Sequence, residues 1–182
     1  MSSSYSNVTI PNPEVAFQEN INKMLYDQSV LLQPTISYMD AYALMPTDNS
    51  GSIVATANIQ FPRTNSFSSI DISRLSVSTF NLGPIGVYDV FFQVGVSGLG
   101  QCVVTLNNIE QPFTLVGTSN NDISGNPITT GNVITGRSLL TTVSNNTVLA
   151  LRNPTGDSSL VIASALGGNA PVSAHLIITR IR

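Results

Sequence analysis

The run GVYDVFFQVGVSGLGQCVVTLN, residues 86–107, decides the fold class. Its first half alternates. Tyr88, Val90, Phe92, Val94 and Val96 fall on one face, and Val87, Asp89, Phe91, Gln93 and Gly95 on the other. A period of two with β-branched and aromatic residues predicts a half-buried strand. Ser97-Gly98-Leu99-Gly100 is a turn signal, and QCVVTLN then reads as the returning strand.

Working outward, the same grammar recurs. ISYMDAYALM (36–45), SIVATANIQF (52–61) and LSVSTFNL (75–82) precede the run. EQPFTLVGT, GRSLLTTV, NTVLALRN, DSSLVIASAL and PVSAHLIITRIR follow it. Between them stand turn-formers, among them Asn107-Asn108, Asn145-Asn146, Asn153-Pro154-Thr155-Gly156 and Gly167-Gly168-Asn169. Many short strands at such spacing predict an all-β sandwich, barrel or jelly roll over residues 36–182. TSNNDISGNPITTGN (118–132) is the longest irregular stretch, and a loop of that length is commonly functional.

Residues 1–35 read differently. The first eleven form a polar arm with one β-prone patch, Val8-Thr9-Ile10. Asn12-Pro13-Glu14 is a helix start: a cap, a proline at the first helical position and an acid in the first turn. Phe17, Ile21, Met24, Leu25, Leu31 and Leu32 continue at helical spacing until Pro34. The expectation is an arm and a helix over 13–33 that connects one subunit to another through Val8, Thr9, Ile10, Phe17, Ile21, Met24 and Leu25.

Composition narrows the function. Of 182 residues, 42% are apolar and only 9% charged, which is too apolar for disorder. There is one lysine, Lys23, and the net charge is −3, so no basic patch exists to neutralise phosphates and no nucleic-acid partner is expected. Weak self-repulsion at that charge favours assembly. The start, MSSSYSNVT, lacks the basic and apolar regions of a secretory signal. No apolar run reaches the ~18 residues of a membrane helix, so no membrane insertion is expected. Synthesis in a cytosol follows.

Chemistry-bearing residues are few. One cysteine, Cys102, lies in a strand-like run and reads as a buried thiol, with an intermolecular disulfide as the alternative. One histidine, His175, lies on the final strand. There Val172, Ala174, Leu176 and Ile178 are expected to form the core face. Ser173, His175, Ile177, Thr179 and Ile181 form the other face, a mixture that suits a subunit interface. Zinc needs several Cys or His ligands, and the chain has two in all. No nucleophile elbow and no glycine-rich phosphate loop appear, and the acids of DNSGS and NNDIS match no full calcium loop. No catalytic activity, metal or cofactor is expected.

Five stretches, AYALMPTDN (41–49), FNLGPIGVYDVFFQVGVSGLGQCVVTLN (80–107), GRSLLTTV (136–143), NTVLALRNPTGDSSL (146–160) and GGNAPVSAHLIITRI (167–181), together resemble one family. It is the C-terminal domain of BclA-type collagen-like glycoproteins of bacterial spore surfaces, itself similar to the globular heads of the tumour necrosis factor and complement superfamily. The resemblance implies a ten-strand jelly-roll β-sandwich that forms a homotrimer with its final strand near the threefold axis. It implies a structural or adhesive role, not an enzymatic one. No Gly-x-y collagen repeat precedes the head here, so residues 1–35 are expected to join subunits directly. The expected function is a self-associating subunit of a spore appendage or exosporium fibre, in contact with other surface or coat proteins. A minor capsid or vertex protein of a large DNA virus, or an adhesive tip working through the 118–132 loop, are the alternatives.

Overall fold

The computed structural model describes residues 12–31, 36–49, 51–68, 71–118, 132–163 and 169–182. The chain divides between Thr35 and Ile36 into two compact units. In the first, helix α1 runs Pro13–Leu31. Asn12 caps it as its sequence predicts: its Oδ1 accepts the Glu14 N–H at 3.0 Å, and its carbonyl accepts the Ala16 N–H at 3.1 Å. Residues 32–35 lie outside the described residues.

The second unit is an antiparallel sandwich. One sheet has the order β10 (Asn132–Thr141), β6 (Val87–Val96), β13 (Val172–Arg180), β1 (Tyr38–Leu44), β3 (Arg63–Phe67). The other has the order β4 (Ile72–Arg74), β5 (Phe80–Leu82), β11 (Thr147–Arg152), β7 (Gln101–Leu106), β8 (Ile109–Glu110), with β9 (Val116–Gly117) also on β7. A two-stranded ribbon joins β2 (Ser52–Ile53) to β12 (Leu160–Val161). All these pairings are antiparallel. Among the described residues thirteen strands are present, several of them only two or three residues long, where the family resemblance implies ten.

The core is what the alternation of β6 predicts. Tyr88, Val90, Phe92, Val94 and Val96 are all buried, together with Phe61, Phe80, Leu82, Leu140, Leu149 and Leu151 from facing elements. The Phe61 and Phe80 rings tilt at 57° with centroids 6.4 Å apart, a favourable edge-on contact. Asn107 and Asn108 take φ of +49° and +67° in the two-residue turn between β7 and β8. Two successive positive φ values are the requirement of a hairpin turn that matches strand twist.

Four sequence expectations need correcting. SIVATANIQF is strand only at Ser52–Ile53, because Thr56 at φ +67° reverses the chain. Ile59 and Phe61 are nevertheless fully buried, so their apolar spacing records burial rather than pairing. In LSVSTFNL only Phe80–Leu82 is strand. Leu75 and Ser76 donate their N–H groups to the Thr79 carbonyl, closing a turn. EQPFTLVGT is mainly a 3-10 turn at Pro112–Thr114, as its proline favours. On the last strand, Val172 is half exposed and Ser173 is buried, the reverse of strict alternation. The register slips there: Ala43 faces Ala174, but Leu44 faces Val172, so Ser173 is the extra residue of a bulge.

Gly136 of β10 stands opposite Phe92, and a Cβ at Gly136 would lie 2.3 Å from that ring. The substitution Gly136→Ala is expected to destabilise the head by ~1–3 kcal/mol through overpacking. Urea unfolding of the two proteins measures this, and an unchanged midpoint would show that the Phe92 ring yields freely.

Candidate functional site on the outer face of the five-stranded sheet

The inward residues of this sheet make the core, so the alternate residues make its outer face. Three cross-strand rungs define it. Tyr42, His175, Gln93 and Thr135 form the first, Asp40, Ile177, Phe91 and Arg137 the second, and Tyr38, Thr179, Asp89 and Leu139 the third. Each rung draws one residue from each of β1, β13, β6 and β10. Most of these side chains are partly exposed, and apolar groups sit among polar ones without a uniform charge.

Two diagonal side-chain contacts cross the rungs. His175 Nε2 lies 2.5 Å from Asp40 Oδ1. Asp40 Oδ2 accepts a hydrogen bond from Asn65 Nδ2 at 2.9 Å. Arg137 donates from Nε and Nη2 to both oxygens of Asp89, at 2.6 Å for the shortest contact. The hydrogen bonds to Asp89, and then the attraction of its charge, raise the Arg137 guanidinium above its ordinary range, but that side chain is largely exposed and solvent screens the pair. Arg137 balances the charge of Asp89 within one protomer, and the Asp40 carboxylate is held by Asn65 and His175.

At the bulged end of the face lies a cleft of about 630 Å³, lined by Asp40, Tyr42, Asn65, Gln93 and His175 among others. A His–Asp pair beside a cleft is two thirds of a hydrolytic triad. Ser173, which also lines the cleft, is buried and its Oγ donates to the Ala43 carbonyl at 3.4 Å. Among the described residues, no three His, Cys, Asp or Glu side chains come together as metal ligands.

No family model matches the chain, and no curated protein is recognisably similar to it. Solved structures do match. Murine APRIL superposes with TM-score 0.53 at 7% identity, over 81% of this chain and 100% of that one. Eiger TNF from S. frugiperda gives TM-score 0.55 at 12% identity, over 81% and 92%. The globular domain of zebrafish complement 1qA protein gives TM-score 0.50 at 12% identity, over 80% and 95%. The head is a jelly roll of the tumour necrosis factor and complement type. At these identities the likeness is one of fold.

Within that jelly roll the residues singled out from sequence are distributed unevenly. His175, Ile177 and Thr179 lie together on the outer face, partly exposed. Ser173 has turned inward at the bulge, and Ile181 is exposed just beyond the end of β13. On α1, Phe17, Met24 and Leu25 are exposed, Phe17 at 66%, and Ile21 is half-buried. Val8, Thr9 and Ile10, and nearly all of the 118–132 loop, lie outside the described residues. Asp40, Tyr42, Phe91 and the Asp89–Arg137 pair were missed. Their signal was the alternation of YMDAYAL and VYDVFFQV, whose outward positions they occupy.

Cys102 is fully buried, and burial, aided by the charge of Asp157, pushes its thiol up to about 12. A thiolate is therefore scarce at neutral pH and no partner thiol can reach it in the folded head. Because the folded thiol holds its proton more tightly than the unfolded one, its contribution to stability is complete below the unfolded pKa of ~8.5 and is lost as pH rises towards about 12. Stability against urea is expected to fall between those limits, and to fall less steeply in Cys102→Ala. Equal slopes in the two proteins would show that this thiol is solvated.

Proposed function

We propose that this protein is a structural subunit of a surface assembly, in which the jelly-roll head trimerises through the outer face of its five-stranded sheet and residues 1–35 join one trimer to its neighbours. The three-rung face carries the reading. It sets Phe91 and Ile177 at its centre, pairs Asp89 with Arg137 and Asp40 with His175 and Asn65, and has β13 as its middle strand between β1 and β6. An interface needs an apolar centre and a satisfied polar surround. The complement and tumour necrosis factor heads supply the fold precedent, and the low net charge favours close approach of copies.

The exposed apolar side chains of α1 support the second half of the reading. Phe17, Met24 and Leu25 have little reason to face water on a helix that ends as a free appendage. Heterologous contact through such a connector builds an open chain of trimers, that is, a filament. The likeness of the sequence stretches to spore-surface heads favours a spore appendage or exosporium fibre as the particle.

Sedimentation of the full chain is expected to give a trimer or multiples of it. Phe91→Asp, which places a lone charge at the centre of the face, is expected to give a folded monomer. A trimer that survives this change would place the interface elsewhere. Electron microscopy separates the two halves of the proposal: filaments from the full chain, and discrete trimers from a version lacking residues 1–35. Filaments from both would remove the connector from the contact.

A further inference from the structure

Beyond its first rung the outer face of the five-stranded sheet is incomplete. The next outward positions are Leu44 on β1, Val172 on β13, Gly95 on β6 and Val133 on β10, with Leu44 paired to Val172 and Gly95 to Val133. The two halves part company there, because β13 pairs with β6 only from Ala174 opposite Val94 onward. Past Val94, β6 meets another segment instead: Val96 bridges Ile162, and the Gly95 carbonyl accepts the Ala163 N–H at 2.8 Å. Gly95 brings no side chain to the gap, and the bulge has turned Ser173 inward. The cleft of about 630 Å³ fills that gap, a volume typical of small-ligand sites. It lies at the margin of the face. The Phe91–Ile177 centre is a full rung further along the strands than His175, about 6.8 Å.

The lining selects a chemistry. Asp40 and Tyr42 of β1, Asn65 of β3, Gln93 of β6 and His175 of β13 bring polar groups to the cleft, and the incomplete rung gives it an apolar rim. No lysine or arginine lines it. Arg63, opposite Tyr42 on the ladder, is held by Asp48 at 2.8 Å. An anionic ligand would meet the Asp40 carboxylate, whose charge only His175 is placed to balance. A cationic ligand would find that carboxylate engaged on both oxygens, Oδ1 by His175 and Oδ2 by Asn65. What stays open is neutral and two-sided. Among the described residues no hydrogen bond engages Asn65 Oδ1, His175 Nδ1, the Gln93 amide or the Tyr42 hydroxyl, so donors and acceptors stand together.

We infer that this cleft is a binding site for a neutral saccharide, a pyranose ring carried free or at the end of a glycan. Each sugar hydroxyl both donates and accepts, so neighbouring hydroxyls match an amide that offers an N–H and a carbonyl together, as Gln93 does. The C–H faces of the ring suit the Tyr42 ring and the apolar rim. Asp40 is a positioning residue. Its oxygens fix the His175 ring and the Asn65 amide before any ligand arrives, which lowers the cost of ordering them on binding. Every lining residue belongs to one protomer, and the inference goes beyond the assembly reading without depending on it.

The test is saturation-transfer NMR on the full chain. The probes are the methyl glycosides of glucose, galactose, mannose and N-acetylglucosamine, each beside its free reducing sugar. Glucose 6-phosphate, glucosamine and uridine serve as anionic, cationic and planar controls. At least one neutral sugar is expected to receive saturation at millimolar concentration, and the controls much less. Gln93→Ala and Asn65→Ala, both at exposed positions, are each expected to weaken binding of that sugar roughly tenfold. Val133→Trp, which fills the cleft from an exposed position, is expected to abolish it. Thermal unfolding of each variant checks that the head is intact. Silence from every neutral sugar would overturn the inference. So would a control that binds as tightly as the best sugar, or binding unchanged in all three variants. A methyl glycoside that binds assigns a glycan end and a reducing sugar that binds alone assigns a free sugar; both uphold the site. Phe91→Asp separates it from the trimer reading. A monomer that still binds sugar upholds the cleft whatever becomes of the trimer, and trimers that bind none remove only the cleft. Binding lost together with the trimer would show a site shared between copies and overturn the single-protomer assignment.

Discussion

Everything on the candidate face depends on the insertion of the last strand between the first and the sixth. β13 pairs with β1 on one side and β6 on the other, from Tyr38↔Thr179 to Ala174↔Val94. Until it arrives, β1 and β6 have no ladder between them and no rung exists. The Asp40–His175 contact spans 135 residues of chain, so the site cannot form from any local segment. Closing such non-local ladders costs loop entropy before contacts repay it, and this topology belongs with the slow folders.

The same insertion explains the bulge at Ser173. The inward residues of β1, Met39, Ala41 and Ala43, meet Ile178, Leu176 and Ala174 in register. Beyond Leu44 the chain enters the turn that Asp48 closes, its carboxylate accepting the Leu44 N–H at 2.8 Å. The partner strand takes up the extra residue, Ser173 moves inward, and the cleft beside His175 opens at that point. Local turn chemistry thus shapes the far end of the face.

The second sheet shows how polarity is managed in a chain with few charges. Arg152 is buried and forms no salt bridge among the described residues; it donates to Asn58 Oδ1 and to the carbonyl and Oδ1 of Asn108. Asn153, also buried, donates to the carbonyls of Ile53 and Ser158. Amides do here what carboxylates do elsewhere, and one of them, Asn108, also occupies a left-handed turn position. The abundance of asparagine therefore has two physical uses, turn geometry and neutral pairing of buried groups.

How much of this was legible in the residues follows from range. The alternation of β6, the cap at Asn12, the Asn-Asn hairpin and the burial of Cys102 are properties of a few neighbouring residues, and each could be read directly. So could the outward set His175, Ile177 and Thr179. The short strands β3 and β4 were illegible because RTNSF and ISR have no apolar alternation; sheet edges do not require one. SIVATANIQF misled for the opposite reason, since burial without pairing leaves the same apolar spacing. Sequence by itself determined the class of fold and which residues alternate inward, because period-two burial is a local constraint. Only the tertiary structure decided which strands are neighbours, that Asp40 meets His175 and that Ser173 turns inward. Those outcomes depend on register between segments far apart in the chain, and no local pattern encodes it.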